Sequence, residues 1–129
     1  MTKKIMVVDD EEDIRFTIEL AMKFHSKKYE VILANCGEHC FQLLEEGEKP
    51  DIILLDLMMP GMDGFSVFDK LKALQSPYNS IPLVFLTAKK DIDSVDVGKV
   101  FGEDYIEKPF NFEDLIQRIE NILNKNEKE

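Results

Sequence analysis

Short apolar runs recur along the chain and are closed by acidic, glycine or proline residues. Runs of this length between turn residues favour strands buried inside a sheet. The clearest example is the range 52–55, which lies between Asp51 and Asp56 and is followed by Pro60 and Gly61. The pattern predicts five strands, at Lys4–Val8, Tyr29–Ala34, Ile52–Leu55, Pro82–Leu86 and Asp104–Glu107.

Segments with apolar residues at helical spacing separate these runs. The first follows Glu11, Glu12 and Asp13, and acidic residues suit the positive N-terminal end of a helix dipole. Asp63 and Asn111 are residue types that cap helix N-termini. The pattern predicts helices that end near His25, that span Gly37–Glu46 and Phe65–Leu74, that form weakly over Lys89–Gly102, and that follow Asn111 to Leu123. We expect the charged tail at 124–129 to fray.

Strands and helices therefore alternate five times. This order is typical of a parallel sheet with helices on both faces, because the crossover between parallel strands is right-handed. For a chain of this size we predict an α/β fold with a doubly wound, five-stranded sheet of order 2-1-3-4-5, the flavodoxin-like arrangement.

Polar side chains stand where the predicted strands end. Asp9 and Asp10 follow the first strand, Asp56 the third, Thr87 the fourth and Lys108 the fifth. Ligands of open parallel sheets bind at the carboxyl ends of the strands. In the order 2-1-3-4-5 the first and third strands are neighbours, so three carboxylates converge at this edge.

Carboxylates this close repel one another and raise one another's pKa. A hard divalent cation, Mg²⁺ or Mn²⁺, relieves the repulsion and binds oxygen ligands of this kind. Lys108 adds a second positive charge and Thr87 a hydroxyl. Because aspartate forms aspartyl-phosphates and phosphoryl transfer depends on positioning and charge neutralisation, we expect phosphoryl chemistry at Asp56.

Composition narrows the class of protein. The chain has 129 residues, of which 44% are hydrophobic and 33% charged, as in one soluble globular domain. Its formal net charge of −10 argues against direct nucleic acid binding, which needs a basic surface. No apolar run has the length of a membrane span, and the N-terminus lacks a secretory signal. The two cysteines make no disulfide framework, so we expect a cytoplasmic protein.

Four segments together resemble the receiver domain of two-component response regulators. They are VVDDEEDIR at 7–15, DIILLDLMMPGMDGF at 51–65, PLVFLTA at 82–88 and DYIEKPF at 104–110. Their order and spacing match the family, and the likeness covers about Lys4 to Leu123. The resemblance implies a single receiver domain over 1–129, which acts as a signalling switch and catalyses only its own phosphorylation and dephosphorylation.

The resemblance also implies a role for each matched residue. Asp56 is the phosphoacceptor, and Lys108 contacts the phosphoryl group before a cis Pro109. Mg²⁺ binds Asp10 and Asp56 directly, Asp9 through water, and the backbone carbonyl of Met58. Thr87 and Tyr105 form the switch pair, in which the Thr87 hydroxyl turns to the phosphate and Tyr105 rotates inward.

The implied partners are a phosphohistidine on a sensor histidine kinase or phosphotransfer protein, and an output partner. The output partner binds the 4-5-5 face, which comprises the fourth predicted helix, the fifth strand and the last helix. Arg118 matches an arginine of dimerising relatives, but beyond its first turn the fourth helix offers only Lys99 as a basic partner. We therefore expect no family-type dimer there.

Other functions make different demands on the same residues. A haloacid-dehalogenase phosphatase needs a second acid two residues after its aspartate, where this chain has Met58. A carrier of flavin mononucleotide needs a glycine- and hydroxyl-rich loop after the first strand, where this chain has acids. A receiver-like module that binds proteins without being phosphorylated is the remaining alternative. Cys36, His39 and Cys40 suggest zinc but lack a fourth ligand.

The first predicted helix carries a second apolar stripe, formed by Phe16, Leu20 and Phe24. One interpretation, which we favour from the sequence, is a helix broadly buried against the sheet. The other is a docking surface for a helix of the phosphodonor, because exposed apolar patches mark partner sites.

Overall fold

Five parallel strands form one sheet in the order β2-β1-β3-β4-β5, which confirms the predicted fold class. The strands are β1 (Lys3–Val8), β2 (Tyr29–Ala34), β3 (Ile52–Asp56), β4 (Leu83–Ala88) and β5 (Asp104–Lys108). The computed structural model describes residues 2–25, 28–88 and 104–128, and the helix expected over 89–102 lies outside these ranges. Thr87 belongs to β4 itself, which runs further than its apolar run predicts.

Four helices are described, namely α1 (Glu12–His25), α2 (Gly37–Glu45), α3 (Gly64–Lys72) and the C-terminal helix (Phe112–Lys128). Asp63 caps α3, since its side chain accepts a hydrogen bond from the Ser66 amide at 2.9 Å. Asn111 caps the C-terminal helix in the same way, from the Glu113 amide at 2.8 Å. The C-terminal helix continues to Lys128, beyond its predicted end at Leu123, through a segment without glycine or proline.

Apolar side chains on the two faces of the sheet form two core layers. Side chains alternate between the faces along each strand, so neighbouring residues enter different layers. One layer packs against α1 and the C-terminal helix and contains Ile5, Val7, Ile18, Met22, Ile52, Leu54, Val84, Leu86, Ile106, Leu115, Ile116, Ile119 and Leu123. The other packs against α2 and α3 and contains Met6, Val8, Ala34, Cys40, Leu44, Ile53, Leu55, Leu57, Met59, Val67, Leu71, Leu83 and Phe85.

The same alternation selects which polar side chains meet at the carboxyl edge. Asp9 and Asp56 continue the series of strand residues that face α1, and so does Lys108, two residues after Ile106. Their strands are near neighbours, since β1 pairs with β3, β3 with β4 and β4 with β5. Thr87 lies one residue out of this phase. The fold therefore brings two carboxylates and one ammonium to the α1 side of the edge.

The stripe on α1 is exposed. Phe16 is 59% exposed, Leu20 43% and Phe24 83%. The interpretation of a broadly buried helix is therefore wrong, because a single row of apolar residues, which includes Ile18 and Met22, seats α1 on the sheet. Within the described ranges, no helix is long and apolar enough to cross a membrane.

Candidate functional site

Three carboxylates converge at the carboxyl edge of the sheet. Asp9, Asp10 and Asp56 each place a carboxylate oxygen within 4.8 Å of the oxygens of the other two. Asp9 and Asp56 are buried, whereas Asp10 is exposed. Adjacent strands thus carry the acids together, as the order of the strands predicts.

Lys108 lies among these carboxylates. Its Nζ atom donates a hydrogen bond to Asp9 Oδ2 at 2.8 Å and is 3.4 Å from Asp56 Oδ1. Glu11 is a third anionic neighbour, with Oε1 at 3.9 Å from the same nitrogen. The Lys108–Pro109 peptide bond is cis, as the resemblance implies. The Lys108 ammonium therefore interacts with three carboxylates at once.

This environment changes the proton affinity of Asp56. Burial, and then the charge of Asp9, raise the pKa of Asp56 from 3.8 to about 7, although Lys108 opposes the shift. Burial lowers the pKa of Lys108, but its hydrogen bond with Asp9 and the surrounding carboxylates outweigh this effect and raise the pKa overall. Lys108 thus stays charged, while an anionic Asp56 is destabilised by its burial and by repulsion from the Asp9 carboxylate.

Backbone contacts fix the loops that carry the acids. The Met58 amide donates to Asp56 Oδ1 at 3.3 Å, and the Glu11 amide donates to Asp9 Oδ1 at 2.9 Å. The Arg15 guanidinium donates to the Asp9 carbonyl at 2.7 Å. These bonds hold the chain within and directly after the acid pair, and directly after Asp56.

Gly64 permits a close approach of α3 to the end of β3. A Cβ atom at this position would lie 2.4 Å from the Asp56 carbonyl oxygen and 2.7 Å from Leu57 Cα. The Gly64 amide donates to the Leu57 carbonyl at 2.8 Å. Only glycine leaves room for this contact, which closes the loop behind Asp56.

An open cleft of about 530 Å³ leads to Asp56 from solvent. It is lined by Glu11, Ile14, Asp56, Met58, Ala88, Lys108 and Pro109. The lining thus combines charged residues, which include Asp56 and Lys108, with apolar ones. The cleft has room for an anionic group to reach the Asp56 carboxylate.

The two residues matched to a switch pair have hydrogen bonds of their own. Thr87 is buried, and its hydroxyl donates to the Ala88 carbonyl at 3.3 Å. The Tyr105 side chain is partly exposed, and its carbonyl accepts a hydrogen bond from Arg118 at 2.8 Å. Arg118 also lies 3.3 Å from Asp114 within its own helix. Lys99, its expected counterpart across a dimer, lies outside the described residues.

The donor set fits a divalent cation. The three acids outnumber Lys108, and hard oxygen ligands of this kind suit Mg²⁺ or Mn²⁺. Both oxygens of Asp9 already accept hydrogen bonds, from the Glu11 amide and from Lys108. Asp10 is exposed and lies beside Asp56. Asp10 and Asp56 are therefore the better placed direct ligands, and Asp9 is suited to hold a metal-bound water.

The cysteine and histidine residues at α2 form no comparable group. Cys40 is buried and contacts Met6 Sδ at 3.7 Å, and burial raises its pKa to about 12. His39 Nδ1 accepts a hydrogen bond from the Asn35 amide at 3.1 Å. In the described part of the chain, the aspartate trio is the one cluster of acids, histidines or cysteines that converges closely enough for a metal.

Sequence reasoning missed two residues that shape the site. Glu11 had the appearance of an ordinary acid at a helix start, although it lines the cleft and approaches Lys108. Arg15 had no assigned role, although it binds the carbonyl between the two acids. Its position one helical turn after Glu11 is the signal that could have placed it at this edge.

The chain is similar to known proteins over almost its whole length. The family model for the response regulator receiver domain matches residues 5–120. A CheY-like receiver domain protein from Methanospirillum hungatei JF-1 is 31% identical, with coverage of 98% of each chain and a TM-score of 0.80. The receiver domain of the Francisella response regulator 1452 is 29% identical, over 97% of this chain and 98% of that one, with a TM-score of 0.77. NtrX from Brucella abortus is 27% identical and matches over 98% of this chain but 28% of its own, with a TM-score of 0.84.

Proposed function

Because the chain belongs to the response regulator receiver domain family, we propose that Asp56 accepts a phosphoryl group from a phosphohistidine donor. The donor is a sensor histidine kinase or a phosphotransfer protein. The receiver domain would extend over the whole chain, with a core at about residues 4–123. Receiver domains are signalling switches rather than classical enzymes, so the product is the modified protein itself.

The observation that carries this proposal is the setting of Asp56. Its carboxylate is buried at the foot of a cleft, within 3.4 Å of the Lys108 ammonium and beside two further carboxylates. A structural aspartate would gain nothing from such repulsion. A nucleophile that receives an anionic group gains from a nearby cationic charge and from a fixed orientation.

In the proposed step a carboxylate oxygen of Asp56 attacks the phosphorus atom. The new oxygen–phosphorus bond forms while the bond from phosphorus to the histidine nitrogen breaks, and the electron pair stays on that nitrogen. No proton is taken from Asp56, because it reacts as the carboxylate. Lys108 lies 3.4 Å from Asp56 Oδ1 and would neutralise charge on the transferred oxygens.

Mg²⁺ or Mn²⁺, when bound, would supply a second positive charge against the phosphoryl oxygens. Asp10 and Asp56 would hold it directly, Asp9 would hold it through water, and the Met58 carbonyl would complete the protein ligands. Asp9 also orients Lys108 through the bond of 2.8 Å. The three aspartates would thus position both the divalent cation and the Lys108 ammonium.

The modified state would be read through the 4-5-5 face. Thr87 and Lys108 would shift toward the phosphoryl oxygens, and Tyr105 would rotate inward from its partly exposed position. Of this face the structure describes β5 and the C-terminal helix, which are joined by the bond from Arg118 to the Tyr105 carbonyl. A change at Tyr105 would therefore be transmitted to the helix beside it.

The direct test is modification by acetyl phosphate with Mg²⁺, followed by intact-mass measurement. The wild-type protein should gain one phosphoryl group, and Asp56→Asn should gain none. Asp51→Asn is the matched control, because Asp51 stands at the opposite end of the same strand and binds the Lys4 amide at 2.7 Å. The control variant should be modified like the wild type.

Two results would count against the proposal. Equal modification of Asp56→Asn and the wild type would move the phosphoacceptor elsewhere. A wild-type protein that acquires no phosphoryl group from acetyl phosphate or from a phosphohistidine donor would instead indicate a receiver-like module that only binds proteins.

A further inference from the structure

Glu11 stands at the mouth of the cleft and is held there by its backbone. Its amide donates to Asp9 Oδ1 at 2.9 Å, and its carbonyl accepts from the Arg15 amide at 3.2 Å. Its side chain is 60% exposed, and its Oε1 atom lies 3.9 Å from Lys108 Nζ. The side chain thus presents a negative charge on the path to Asp56.

The charges of the site show why this acid matters. The carboxylates of Asp9, Asp10 and Asp56 would be balanced by Lys108 together with one divalent cation. Glu11 is a fourth carboxylate beside the same lysine, and the Arg15 guanidinium binds the Asp9 carbonyl rather than the Glu11 carboxylate. Glu11 therefore adds a negative charge to the lining of the cleft.

We propose that Glu11 is a specificity-determining residue that disfavours small, highly charged phosphodonors at Asp56. This inference rests on the proposed phosphoacceptor role of Asp56. The negative charge of Glu11 repels an anionic donor as it enters the cleft, and a dianion is repelled more than a monoanion. A protein donor offsets this repulsion with contacts outside the cleft, which a small molecule lacks.

Glu11 also acts on the reacting group through Lys108. The ammonium is shared among Asp9, Asp56 and Glu11. Modification of Asp56 adds further negative charge, which must draw on the same lysine. Without the Glu11 charge, Lys108 interacts with one carboxylate fewer. The weaker repulsion of the donor and the greater availability of Lys108 then both favour modification of Asp56.

The experiment compares Glu11→Gln with Glu12→Gln, which removes the same charge from the next residue. Acetyl phosphate is a dianion at neutral pH, and phosphoramidate is a monoanion. In each reaction Asp56 oxygen bonds to phosphorus, and acetate or ammonia leaves with the electron pair of the broken bond. Rates of modification are measured with saturating Mg²⁺, at low and high ionic strength, by intact mass.

Glu11→Gln should accelerate modification by acetyl phosphate about two- to fivefold, the range expected for an exposed charge near its partner. Modification by phosphoramidate should change less, and high salt should reduce the difference. Glu12→Gln should react as the wild type does. Glu11→Asp keeps the charge and should keep the wild-type preference between the two donors.

Equal rates for Glu11→Gln and Glu12→Gln would overturn the inference, as would an equal gain with both donors. A slower reaction of Glu11→Gln would show that the acid assists modification instead. If the wild type reacts with neither donor, the proposed function fails, whereas a reactive wild type without the charge effect refutes the role of Glu11 alone.

Discussion

Asp56 is a buried carboxylate whose neighbours are two further carboxylates and one ammonium. The single positive charge of Lys108 is divided between Asp9 and Asp56, so neither acid is fully compensated. The raised pKa of Asp56 expresses this imbalance, with burial as its first cause and Asp9 as its second. This buried carboxylate is therefore a source of instability in the metal-free protein.

Replacement of Asp56 by asparagine should stabilise the metal-free protein, and more so at higher pH. The pKa of Asp56 is about 7 in the fold, above its ordinary value of 3.8, so its contribution to stability is full below pH 3.8 and is lost as the pH rises through about 7. Asparagine has no such loss. We expect a gain of up to about 4 kcal/mol at about pH 8, because the shift from 3.8 to about 7 spans about three pKa units of about 1.4 kcal/mol each, and a smaller gain at about pH 5.

Urea unfolding in the presence of a chelator, followed by circular dichroism, measures this difference. Asp69→Asn, on the exposed surface of α3, is the control for removal of a charge from an acidic protein. An advantage of Asp56→Asn that is constant or declines from low to high pH would contradict the raised pKa.

The sequence is informative about these residues because acids and a lysine are unusual at the ends of buried strands. Asp9, Asp10, Asp56 and Lys108 could be grouped before any coordinates, since strand order brings them together. Glu11 could not, because an acid in the first turn of a helix is common and its rotamer decides whether it reaches Lys108. A contact of this kind depends on the depth at which α1 sits against the sheet.

At the scale of the elements, the strands are more predictable than the helices. β2 matches its predicted bounds, since a largely apolar run that is followed by Asn35 and Gly37 leaves few alternatives. Helix ends are set by weaker preferences, and the C-terminal helix continues past its apolar stripe because no residue stops it. The exposure of Phe16 and Phe24 also escaped the pattern, since two adjacent apolar stripes do not reveal which one faces the core.

The exposed stripe of α1 supports a docking role for this helix in the proposed phosphotransfer. It begins at Phe16, five residues after Glu11, which lines the cleft to Asp56. A donor helix that covers Phe16 and Leu20 would bring its phosphohistidine toward that cleft. Phe16→Ser should therefore lower the rate of transfer from the cognate kinase by about tenfold, the effect of about 1.4 kcal/mol of lost apolar burial.

Modification by acetyl phosphate should be unchanged in Phe16→Ser, because that donor needs no docking surface. Leu74→Ser is the control, since Leu74 is also exposed and apolar but follows the far end of α3. Rapid-mixing measurements of transfer from phosphorylated kinase compare the two variants. Unchanged transfer to Phe16→Ser would remove α1 from the donor interface.

In the molecule as a whole, the apolar layers that stabilise the fold lie on the faces of the sheet, and the charged residues of the candidate site lie at its carboxyl edge. The two apolar layers hold the strands in register, and the carboxyl edge collects charges that repel one another. The net charge of −10 adds a general attraction for cations. The fold thus tolerates an unfavourable acidic edge that a cation can relieve.

Mg²⁺ should accordingly stabilise the protein against unfolding, and the effect should weaken at low pH. Binding to the native state alone contributes about 1.4 kcal/mol when Mg²⁺ is present at ten times its Kd. The ion must displace the proton from Asp56, whose pKa is about 7, so affinity falls as the pH drops below that value. Thermal unfolding at about pH 8 and about pH 5, with Mg²⁺ or chelator, measures both effects.

Asp10→Asn should lose most of the stabilisation, whereas Asp13→Asn, on α1 beyond the trio, should retain it. A shift in Tm that is equal in both variants would mean that Mg²⁺ acts through general charge screening rather than at the aspartate trio.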